Sequence, residues 1–369
     1  MFPKILLLLF LASCGYQIFA SWCLLRFARR RPKAAPPRLR FSQVKPVRTP
    51  ESSTLENIER FVGSCGAVDH DVYLCSTRPG PVEWLESRPQ FTWLRVEADQ
   101  SLNGKAATLS ESQRYWSGDL FVVSDADMLC EPDYLDAVLG EFSDPEVGVV
   151  TCLYRSEGEK GLRSGSVLER LCIQDFAASA LVAERTEGIA FCFGSTMAVR
   201  REVLEQIGGF EALVPYLADD YQLGYRAVRK GWKVALAPTV LATDLGKPTF
   251  RQAWEHQYRW MVTSRVSRPG GHAAFIVTQG LLWSLLLFPV QPLWLLFWCF
   301  LRVAAGLFQG SLLGGEGAWK SVFLPFKDLA FLVLWFLSLR GNVVYWGRDE
   351  VTIDSQGKIV KFTPDSQSV

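Results

Sequence analysis

The sequence predicts an α/β domain with a mostly parallel sheet, held between membrane-spanning helices at the two ends of the chain. Residues 5–25 and 273–308 are long apolar regions, and the first of them carries no charge. Between residues 41 and 269, short apolar runs alternate with amphipathic stretches. Strands that alternate with helices are typical of a parallel sheet covered on both faces.

The composition of the 369 residues hides this segregation, since 49% are hydrophobic and 21% are charged overall. The formal net charge is +1, so the chain as a whole has no electrostatic attraction for nucleic acid. No zinc-finger or RNA-binding motif is present either. The nine cysteines form no C-x-x-C pair, which favours buried thiols in a reducing compartment over a disulfide framework.

The first apolar run, Ile5–Leu25, is long enough to cross a bilayer, which takes about 20 apolar residues. Nine Lys or Arg residues and no acid follow it between Arg26 and Arg48, and only Lys4 stands on the other flank. By the positive-inside rule, the chain after Leu25 is cytoplasmic.

A bacterial lipoprotein signal peptide is the alternative interpretation of this start, because Leu11-Ala12-Ser13-Cys14 resembles the processing site of such peptides. The apolar run, however, continues past Cys14 to Leu25. The basic block that follows would resist export, so we expect a membrane helix.

The C-terminal apolar region is divided by residues 288–292, which contain two prolines, into two runs of about 17 residues. Proline interrupts helical hydrogen bonding, so a hairpin or a sharp kink is expected there. A further apolar stretch, residues 321–339, contains Lys327 and Asp328. It is either a span whose charges face the protein interior or a re-entrant or interfacial helix. Two or three C-terminal membrane helices are therefore predicted.

In the central domain, apolar runs predict strands and amphipathic spacing predicts helices. The predicted strands are Val72–Cys75, Thr92–Val96, Leu120–Ser124 and Val147–Cys152, and the predicted helices are Leu55–Val62, Asn103–Trp116 and Asp133–Phe142. In sheets of this class, ligands bind outside the carboxyl ends of the strands.

Asp125 and Asp127 directly follow one of these strands, at the edge of the sheet where ligands bind. Two carboxylates one residue apart offer hard oxygen ligands for Mg²⁺ or Mn²⁺. The bare D-x-D pattern is also common at turns and helix caps, so its position after the strand is what favours a metal site.

A second acidic pair, Asp219-Asp220, is a candidate general base. Adjacent carboxylates repel each other, so the pKa of one of them rises when both lie in a cleft. Such a carboxylate can accept a proton from an attacking hydroxyl. The alternative is a solvated helix N-terminus, where acids interact favourably with the helix dipole.

The stretch His256-Gln257-Tyr258-Arg259-Trp260 lies just before the C-terminal apolar region. Its aromatic residues can lie among lipid headgroups. Arg259 can instead pair with a diphosphate, since arginine suits phosphate recognition, and Trp260 can line an acceptor site.

Together these motifs resemble, in order, the ceramide glucosyltransferase-like family of inverting glycosyltransferases. The resemblance covers residues 44–270 and the flanking helices, and it looks close to the bacterial branch that glycosylates hopanoid lipids. The stretches that carry it are Val44–Pro46, Ser124–Asp127, Gly148–Arg155, Phe193–Arg201, Gly208–Glu211, Leu217–Gly224 and Arg259-Trp260.

The resemblance implies a GT-A catalytic domain that moves one sugar, glucose or N-acetylglucosamine, from a UDP-sugar to a hydroxyl of a membrane lipid of ceramide or hopanoid type. Asp220 would be the catalytic base. A divalent metal, Mg²⁺ or Mn²⁺, would be held by Asp125 and Asp127.

Further residues take roles from the same resemblance. The nucleotide sugar would be bound by Lys105, Asp125 and Arg259. The acceptor site would contain Asp219, Trp260, His256 and Gly194.

Two features depart from the family pattern. The segment Cys75–Pro81 lacks the acid that usually contacts the nucleotide, although Ser76 and Thr77 offer hydroxyls. The motif before Arg259-Trp260 begins with His256, which near pH 7 can still donate to phosphate. Gln257 is displaced by one position and should point elsewhere on a helix.

The expected organisation is a transmembrane helix (1–27), a basic linker (28–43), the GT-A domain (44–250), an interfacial helix (251–270), membrane helices (271–340) and a soluble tail (341–369). We expect a multi-pass protein of the bacterial inner membrane with the catalytic domain in the cytoplasm. A processive polysaccharide synthase and an inactive membrane scaffold are the alternative functions.

Overall fold

The computed structural model describes residues 2–36, 39–64, 70–99, 102–130, 132–157, 161–244, 246–347 and 349–364. Eight of the nine cysteines lie in these ranges, and all eight are free thiols. Cys65 and the last five residues of the expected tail lie outside the described ranges. The chain begins with helix α1 (Phe2–Ala28), which contains the predicted span.

The central domain alternates strands and helices. Its strands are β1 (Phe41–Pro46), β2 (Asp71–Ser76), β3 (Phe91–Arg95), β4 (Leu120–Val123), β5 (Met128–Leu129), β6 (Val147–Glu157), β7 (Met197–Arg200) and β8 (Lys233–Asp244). Its helices are α2 (Ser52–Ser64), α3 (Val82–Glu86), α4 (Gly104–Ser112), α5 (Tyr134–Glu141), α6 (Ser164–Glu187), α7 (Arg201–Gln206), α8 (Asp219–Arg229) and α9 (Phe250–Ser267).

These strands form one sheet in the order β3-β2-β1-β4-β7-β6-β8-β5. The pairs β1–β2, β2–β3, β1–β4 and β6–β8 are parallel, and β7 and β5 pair antiparallel to their neighbours. The predicted mostly parallel sheet is therefore confirmed. Side chains alternate along β4, so that Phe121 and Val123 join one apolar core and Leu120 and Val122 the other.

The element boundaries differ from the predictions at a few points. β1 begins at Phe41, so the last residues of the expected 28–43 linker belong to the sheet. β6 continues to Glu157 because it stays paired with β8 as far as Asp244. The helix expected over Asn103–Trp116 is α4, which Asn103 caps by accepting from the Ala106 N–H, followed by a 3₁₀ turn.

The C-terminal region contains helices α10 (Pro269–Ala274), α11 (Gly280–Leu287), α12 (Leu293–Leu313) and α13 (Leu324–Ser338). Within the described ranges, three helices are long and apolar enough to cross a membrane, namely 3–28, 293–313 and 318–338. Residues 269–287 form a bent pair of helices, with a 43° bend, that would make a fourth as one broken span. The break expected at residues 288–292 separates α11 from α12.

Contacts with α1 fix the direction of these helices. Leu281 of α11 and Trp298 of α12 pack with Phe10, in the first half of α1. At the other end of α12, Gln309 Nε2 donates to Ser21 Oγ over 3.0 Å. Because Ser13 Oγ donates to the Val277 carbonyl whereas the later Leu281 packs with the earlier Phe10, the bent pair runs antiparallel to α1, and α12 runs parallel to it.

Helix α13 has both of its ends close to the central domain. In the 3₁₀ turn before it, Ser321 Oγ lies 3.4 Å from Gln174 Oε1 of α6. At its end, Ser338 Oγ lies 2.9 Å from His272 Nε2, and just beyond it Arg265 of α9 donates to the Gly341 carbonyl. Although its length would allow it to span, α13 lies along α6 and α9.

The tail forms an antiparallel sheet of β9 (Val343–Trp346), β10 (Asp349–Ile353) and β11 (Ile359–Thr363). It packs on the central domain, because the Leu217 N–H donates to the Gly357 carbonyl and the Ile359 N–H to the Pro215 carbonyl. Val344 and Val351 share an apolar cluster with Leu217. The tail and the central domain are therefore on the same side of the membrane helices.

Candidate active site

The loop after β4 brings Asp125 to the carboxyl end of the sheet. Its backbone N–H donates to the Gly194 carbonyl over 3.3 Å, and its carbonyl accepts from Lys45 Nζ over 3.0 Å. Lys45 is fully buried on β1, the neighbouring strand, with its ammonium 3.3 Å from the centre of the Phe61 ring. The backbone of Asp125 is therefore fixed by two neighbouring segments.

Lys105, at the start of α4, links the two acidic pairs. Its Nζ lies 2.6 Å from Asp125 Oδ1 and 3.7 Å from Asp219 Oδ2. Burial opposes its charge, but the attraction of Asp125 and Asp219 outweighs burial and raises the pKa of Lys105 above its ordinary value. Lys105 is therefore a permanent cation between the two pairs.

Asp127 is the second carboxylate of the loop, and its Oδ2 accepts from Thr243 Oγ1 over 3.3 Å. Burial, together with the negative charge of Asp125, raises the pKa of Asp127 to about 6. Its negative charge is therefore poorly compensated by the surrounding protein.

Asp219 and Asp220 form the first turn of α8, and Asn103 donates to Asp219 Oδ1 over 3.1 Å. Asp220 accepts the N–H groups of Gly194 and Tyr221, over 3.0 and 2.7 Å. Burial and the charge of Asp219 still raise the pKa of Asp220 to about 6. A carboxylate with such a pKa is basic enough to accept a proton and is largely ionised near neutrality.

Gly194 lies where the two acidic pairs approach each other. A Cβ at this position would stand 2.7 Å from Asp125 Oδ2 and 3.3 Å from Lys105 Nζ. Because the Gly194 N–H also holds Asp220, this residue touches both pairs, and any larger residue would displace at least one of them.

On α9, His256 and Gln257 both contact Glu169 of α6. His256 Nδ1 lies 2.8 Å from one Glu169 oxygen, and Gln257 Nε2 donates to the other over 2.6 Å. The His256 ring meets the edge of Trp260 at a centroid distance of 4.8 Å. Gln257 therefore does not point away from the partner of His256, as its displaced position had suggested.

Arg259 lies between the tail and the acidic pair Asp219-Asp220. Its guanidinium carbon is 5.8 Å from the centre of the Trp346 ring on β9. Burial lowers the pKa of Arg259, and Asp220 acts in the opposite direction. Arg259 is half-buried and lines the same cavity as Asp125 and Asp220.

The segment Cys75–Pro81, which lacks the expected acid, begins at the carboxyl end of β2. Ser76 is buried, and its hydroxyl accepts from the Arg78 N–H over 3.1 Å. Thr77 and Arg78 line the cavity. Of the two hydroxyls offered by this segment, that of Ser76 is occupied by the turn, whereas Thr77 faces the site.

One cavity of about 1190 Å³ joins these groups. All the residues predicted from the sequence line it: Asp125, Asp127, Asp220, Lys105, Arg259, Asp219, Trp260, His256 and Gly194. The cavity continues between α1, α6, α9, α10 and α12, where apolar side chains such as Ala20, Phe176 and Phe275 line it. It therefore connects the carboxylates with the membrane helices.

Asp125 and Asp127 are the candidate metal ligands predicted from the sequence. Within the described ranges, no three His, Cys, Asp or Glu side chains are placed to hold a metal ion. The two carboxylates are hard oxygen donors, and the raised pKa of Asp127 reflects a charge that a cation would compensate. They fit a divalent ion, whose remaining ligands would have to come from outside the protein.

Three residues of the site were not assigned a role from the sequence. Lys45 stands in a stretch that resembles the family, and Asn103 carries a helix-capping signal that could have marked it. Glu169 has no comparable signal, because no local pattern shows that this acid on α6 faces α9.

Comparison with solved structures places the fold among the glycosyltransferases. Mannosyltransferase PcManGT from Pyrobaculum calidifontis, in complex with GDP-Man and Mn²⁺, is similar over 90% of this chain and 98% of its own, with 20% identity and a TM-score of 0.52. Glucosyl-3-phosphoglycerate synthase from Mycobacterium tuberculosis is similar over 63% of this chain and 84% of its own, with 17% identity and a TM-score of 0.40. The chain therefore has a GT-A-like fold.

Sequence comparison defines the family. The model of glycosyl transferase family 21 matches residues 88–359, and the chain belongs to this family. The probable glycosyltransferase YdaM of Bacillus subtilis (strain 168) is 28% identical over 162 residues, which are 42% of this chain and 37% of YdaM. The predicted ceramide glucosyltransferase-like family is confirmed, and the closeness to its hopanoid branch stays a prediction.

Proposed function

We propose that this glycosyltransferase moves a single sugar from a nucleotide sugar to a hydroxyl of a membrane lipid, with inversion at the anomeric carbon. The observation that carries the proposal is the continuous cavity between the carboxylates and the membrane helices. A soluble acceptor would not need a route lined by α1, α10 and α12. A lipid can place its chain among these helices while its hydroxyl reaches Asp220.

Asp220 is the proposed base. One of its carboxylate oxygens takes the proton of the acceptor hydroxyl. At the same time the hydroxyl oxygen bonds to the anomeric carbon, and the bond from this carbon to the diphosphate breaks. The N–H groups of Gly194 and Tyr221 hold the Asp220 carboxylate in one orientation. General-base assistance of this kind contributes a rate factor of about 10²–10⁴.

The leaving diphosphate carries the negative charge that develops in the reaction. Lys105 and Arg259 line the cavity and are the proposed cationic partners of its oxygens. Asp125 and Asp127 would hold Mg²⁺ or Mn²⁺, which when bound stabilises that charge as a Lewis acid. The GDP-Man and Mn²⁺ in the PcManGT complex are consistent with a nucleotide sugar and a divalent metal.

The acceptor is expected on the side of α9. Trp260 packs against Phe176 at a centroid distance of 5.3 Å, and both line the cavity. His256 is held by Glu169 beside Trp260. These side chains, with Asp219 and Gly194, form the proposed wall against which the acceptor hydroxyl is positioned.

The helix contacts support a membrane topology with three crossings. Helix α1, the bent pair 269–287 and α12 cross, whereas α13 lies at the interface, because the turn before it contacts α6 and the residues just after it contact α9. The tail then returns to the side of the catalytic domain, as its packing on Leu217 requires. The basic residues from Arg26 to Arg48 assign that side to the cytoplasm, at the bacterial inner membrane.

The test is to incubate the purified full chain in nanodiscs, with Mn²⁺ and bacterial lipid extract, separately with UDP-glucose, UDP-N-acetylglucosamine and GDP-mannose. We expect a UDP-sugar to give a lipid heavier by one sugar, measured by mass spectrometry, with an inverted anomeric configuration by NMR. A polymer would indicate a processive synthase instead. Transfer only to water would contradict the lipid acceptor, and transfer only from GDP-mannose would contradict the UDP donor.

A further inference from the structure

A second polar cluster lies at the end of the cavity formed by the membrane helices, away from the proposed chemistry. This membrane cluster consists of Asp175 on α6, Arg302 on α12, and Lys327 and Asp328 on α13. All four residues line the cavity, and all except Asp175 are almost completely buried. Arg302 lies on a helix that is proposed to cross the membrane, where an ionisable residue is rare unless it has a function.

The pairing within the membrane cluster is extensive. Arg302 Nε donates to Asp328 Oδ2 over 2.9 Å, and Arg302 Nη2 to Asp328 Oδ1 over 3.1 Å as well as to Asp175. Lys327 contacts Asp175 and lies 3.1 Å from Asp328 Oδ1. Two cations thus face two carboxylates, and the membrane cluster is electrically balanced.

One donor of the membrane cluster is left over. Arg302 is only 2% exposed, and its Nη1 is buried and has no hydrogen-bond partner in the described part of the chain. A buried N–H group without an acceptor is costly, so buried donors are normally satisfied. Since Arg302 lines the cavity, an oxygen of a ligand in the cavity can meet this donor.

The charge balance restricts the chemistry of that ligand. A phosphate would bring uncompensated negative charge into a buried, balanced site, and burying unpaired charge is strongly unfavourable. A neutral oxygen satisfies Arg302 Nη1 without disturbing the two ion pairs. We propose that the membrane cluster binds a neutral hydroxyl or carbonyl oxygen of the acceptor lipid, set back from the hydroxyl that receives the sugar.

This inference rests on the proposed lipid acceptor, and a pair of synthetic acceptors tests it separately. Both have the same chain and primary hydroxyl, and only one carries an additional carbonyl or hydroxyl. We expect the KM of the wild-type enzyme to be about tenfold lower for the lipid with the additional oxygen, as for a hydrogen bond to a charged donor. A phosphate-bearing analogue should be a poorer acceptor than either.

Arg302→Lys tests the residue itself, because it keeps the positive charge but removes the guanidinium fork. It should raise the KM of the oxygen-bearing acceptor about tenfold, and leave the KM of the plain acceptor and of the donor unchanged. The control is Arg200→Lys, which makes the same change at an arginine that does not line the cavity. Arg200 donates to the Phe142 and Val147 carbonyls. It should not alter the preference between acceptors.

The outcomes are distinguishable. If the wild-type enzyme glycosylates neither lipid, the proposed function fails. If it glycosylates both with equal KM, or prefers the phosphate-bearing analogue, only the membrane-cluster proposal is wrong. An equal effect of Arg302→Lys on both acceptors would also contradict it. If Arg302→Lys does not accumulate in a folded form, the wild-type comparison of the acceptors still decides the question.

Discussion

Two buried groups of charged side chains lie on one cavity: the membrane cluster, and a proposed catalytic cluster around the two acidic pairs. They differ in charge balance. The membrane cluster pairs two cations with two carboxylates. The proposed catalytic cluster has an excess of negative charge, since three cations, Lys45, Lys105 and Arg259, face four carboxylates: Asp125, Asp127, Asp219 and Asp220.

This difference separates two uses of buried charge. Burial and the excess negative charge of the proposed catalytic cluster raise the pKa values of Asp127 and Asp220 to about 6. A bound cation or a proton therefore stabilises this site. The balanced membrane cluster needs neither, and neutralising one of its members would leave an opposite charge buried without a partner. The same chemical substitution should therefore have opposite effects on the stability of the two regions.

The largest expected effect is that of Asp220→Asn on turnover. The amide cannot take the acceptor proton, so kcat should fall by a factor of about 10²–10⁴, while the affinity for the donor stays nearly unchanged. Steady-state kinetics and donor titration measure the two quantities. Asp119→Asn, at an exposed ion pair with Arg40, is the matched control and should be fully active. Full activity of Asp220→Asn would rule out its role as the base.

The sign of the stability change tests the comparison directly. Asp328→Asn breaks a buried ion pair and should reduce the free energy of unfolding by about 3–5 kcal/mol. Asp220→Asn should stabilise the ligand-free protein, because a raised pKa means that the fold favours the neutral side chain. Thermal unfolding in detergent at pH 8 measures both. A lower Tm for Asp220→Asn would show that this carboxylate is well compensated in the fold.

Asp127→Ala should weaken metal-dependent binding of the donor by about tenfold or more, since it removes one of two protein ligands of a hard cation. Isothermal titration with UDP in Mn²⁺ and in EDTA separates the metal-dependent part. Asp144→Ala, at a surface acid that pairs with Lys233, serves as control. Unchanged affinity of Asp127→Ala in Mn²⁺ would contradict the metal role.

The raised pKa of Asp220 predicts opposite pH dependences of activity and stability. Activity needs the ionised form, so kcat/KM should fall about tenfold per pH unit below about 6. The ordinary pKa of an aspartate is about 4, so the stabilisation from protonating Asp220 is complete below that pH and lost as the pH rises through about 6. pH–rate and pH–Tm profiles test this, and in Asp220→Asn the inflection of the rate profile should disappear.

The sequence predicted the features that local patterns determine. The apolar run Leu120–Val123 predicts a buried strand, and its position alone brings Asp125 to the ligand-binding edge of the sheet. The charge-free run at the N-terminus and the prolines at residues 288–292 likewise predict a membrane helix and the break before α12. In these cases the deciding residues are neighbours in the chain.

The features that the sequence left open depend on contacts between distant residues. Glu169 holds His256, which lies 87 residues further along the chain, and Arg302 meets Asp175 at a separation of 127 residues. Hydropathy alone makes α13 a candidate span, and only its contacts with α6 and α9 place it beside the central domain. A single sequence carries no information on which of its charged residues become partners.

Gly194→Ala is expected to have the smallest effect, and it tests how tightly the proposed catalytic cluster is packed. A methyl group would lie 2.7 Å from Asp125 Oδ2, so this carboxylate must move away from its position beside Lys105. We expect kcat/KM to fall about tenfold, with most of the loss in donor binding, because Asp220 keeps its bond to the backbone N–H of residue 194. Gly63→Ala is the control and should leave kinetics unchanged, because in the described part of the chain nothing beyond its own helix lies within 4 Å of the added methyl group. If Gly194→Ala instead reduced kcat and left donor affinity intact, the close approach at this residue would serve the base and not the metal-binding pair.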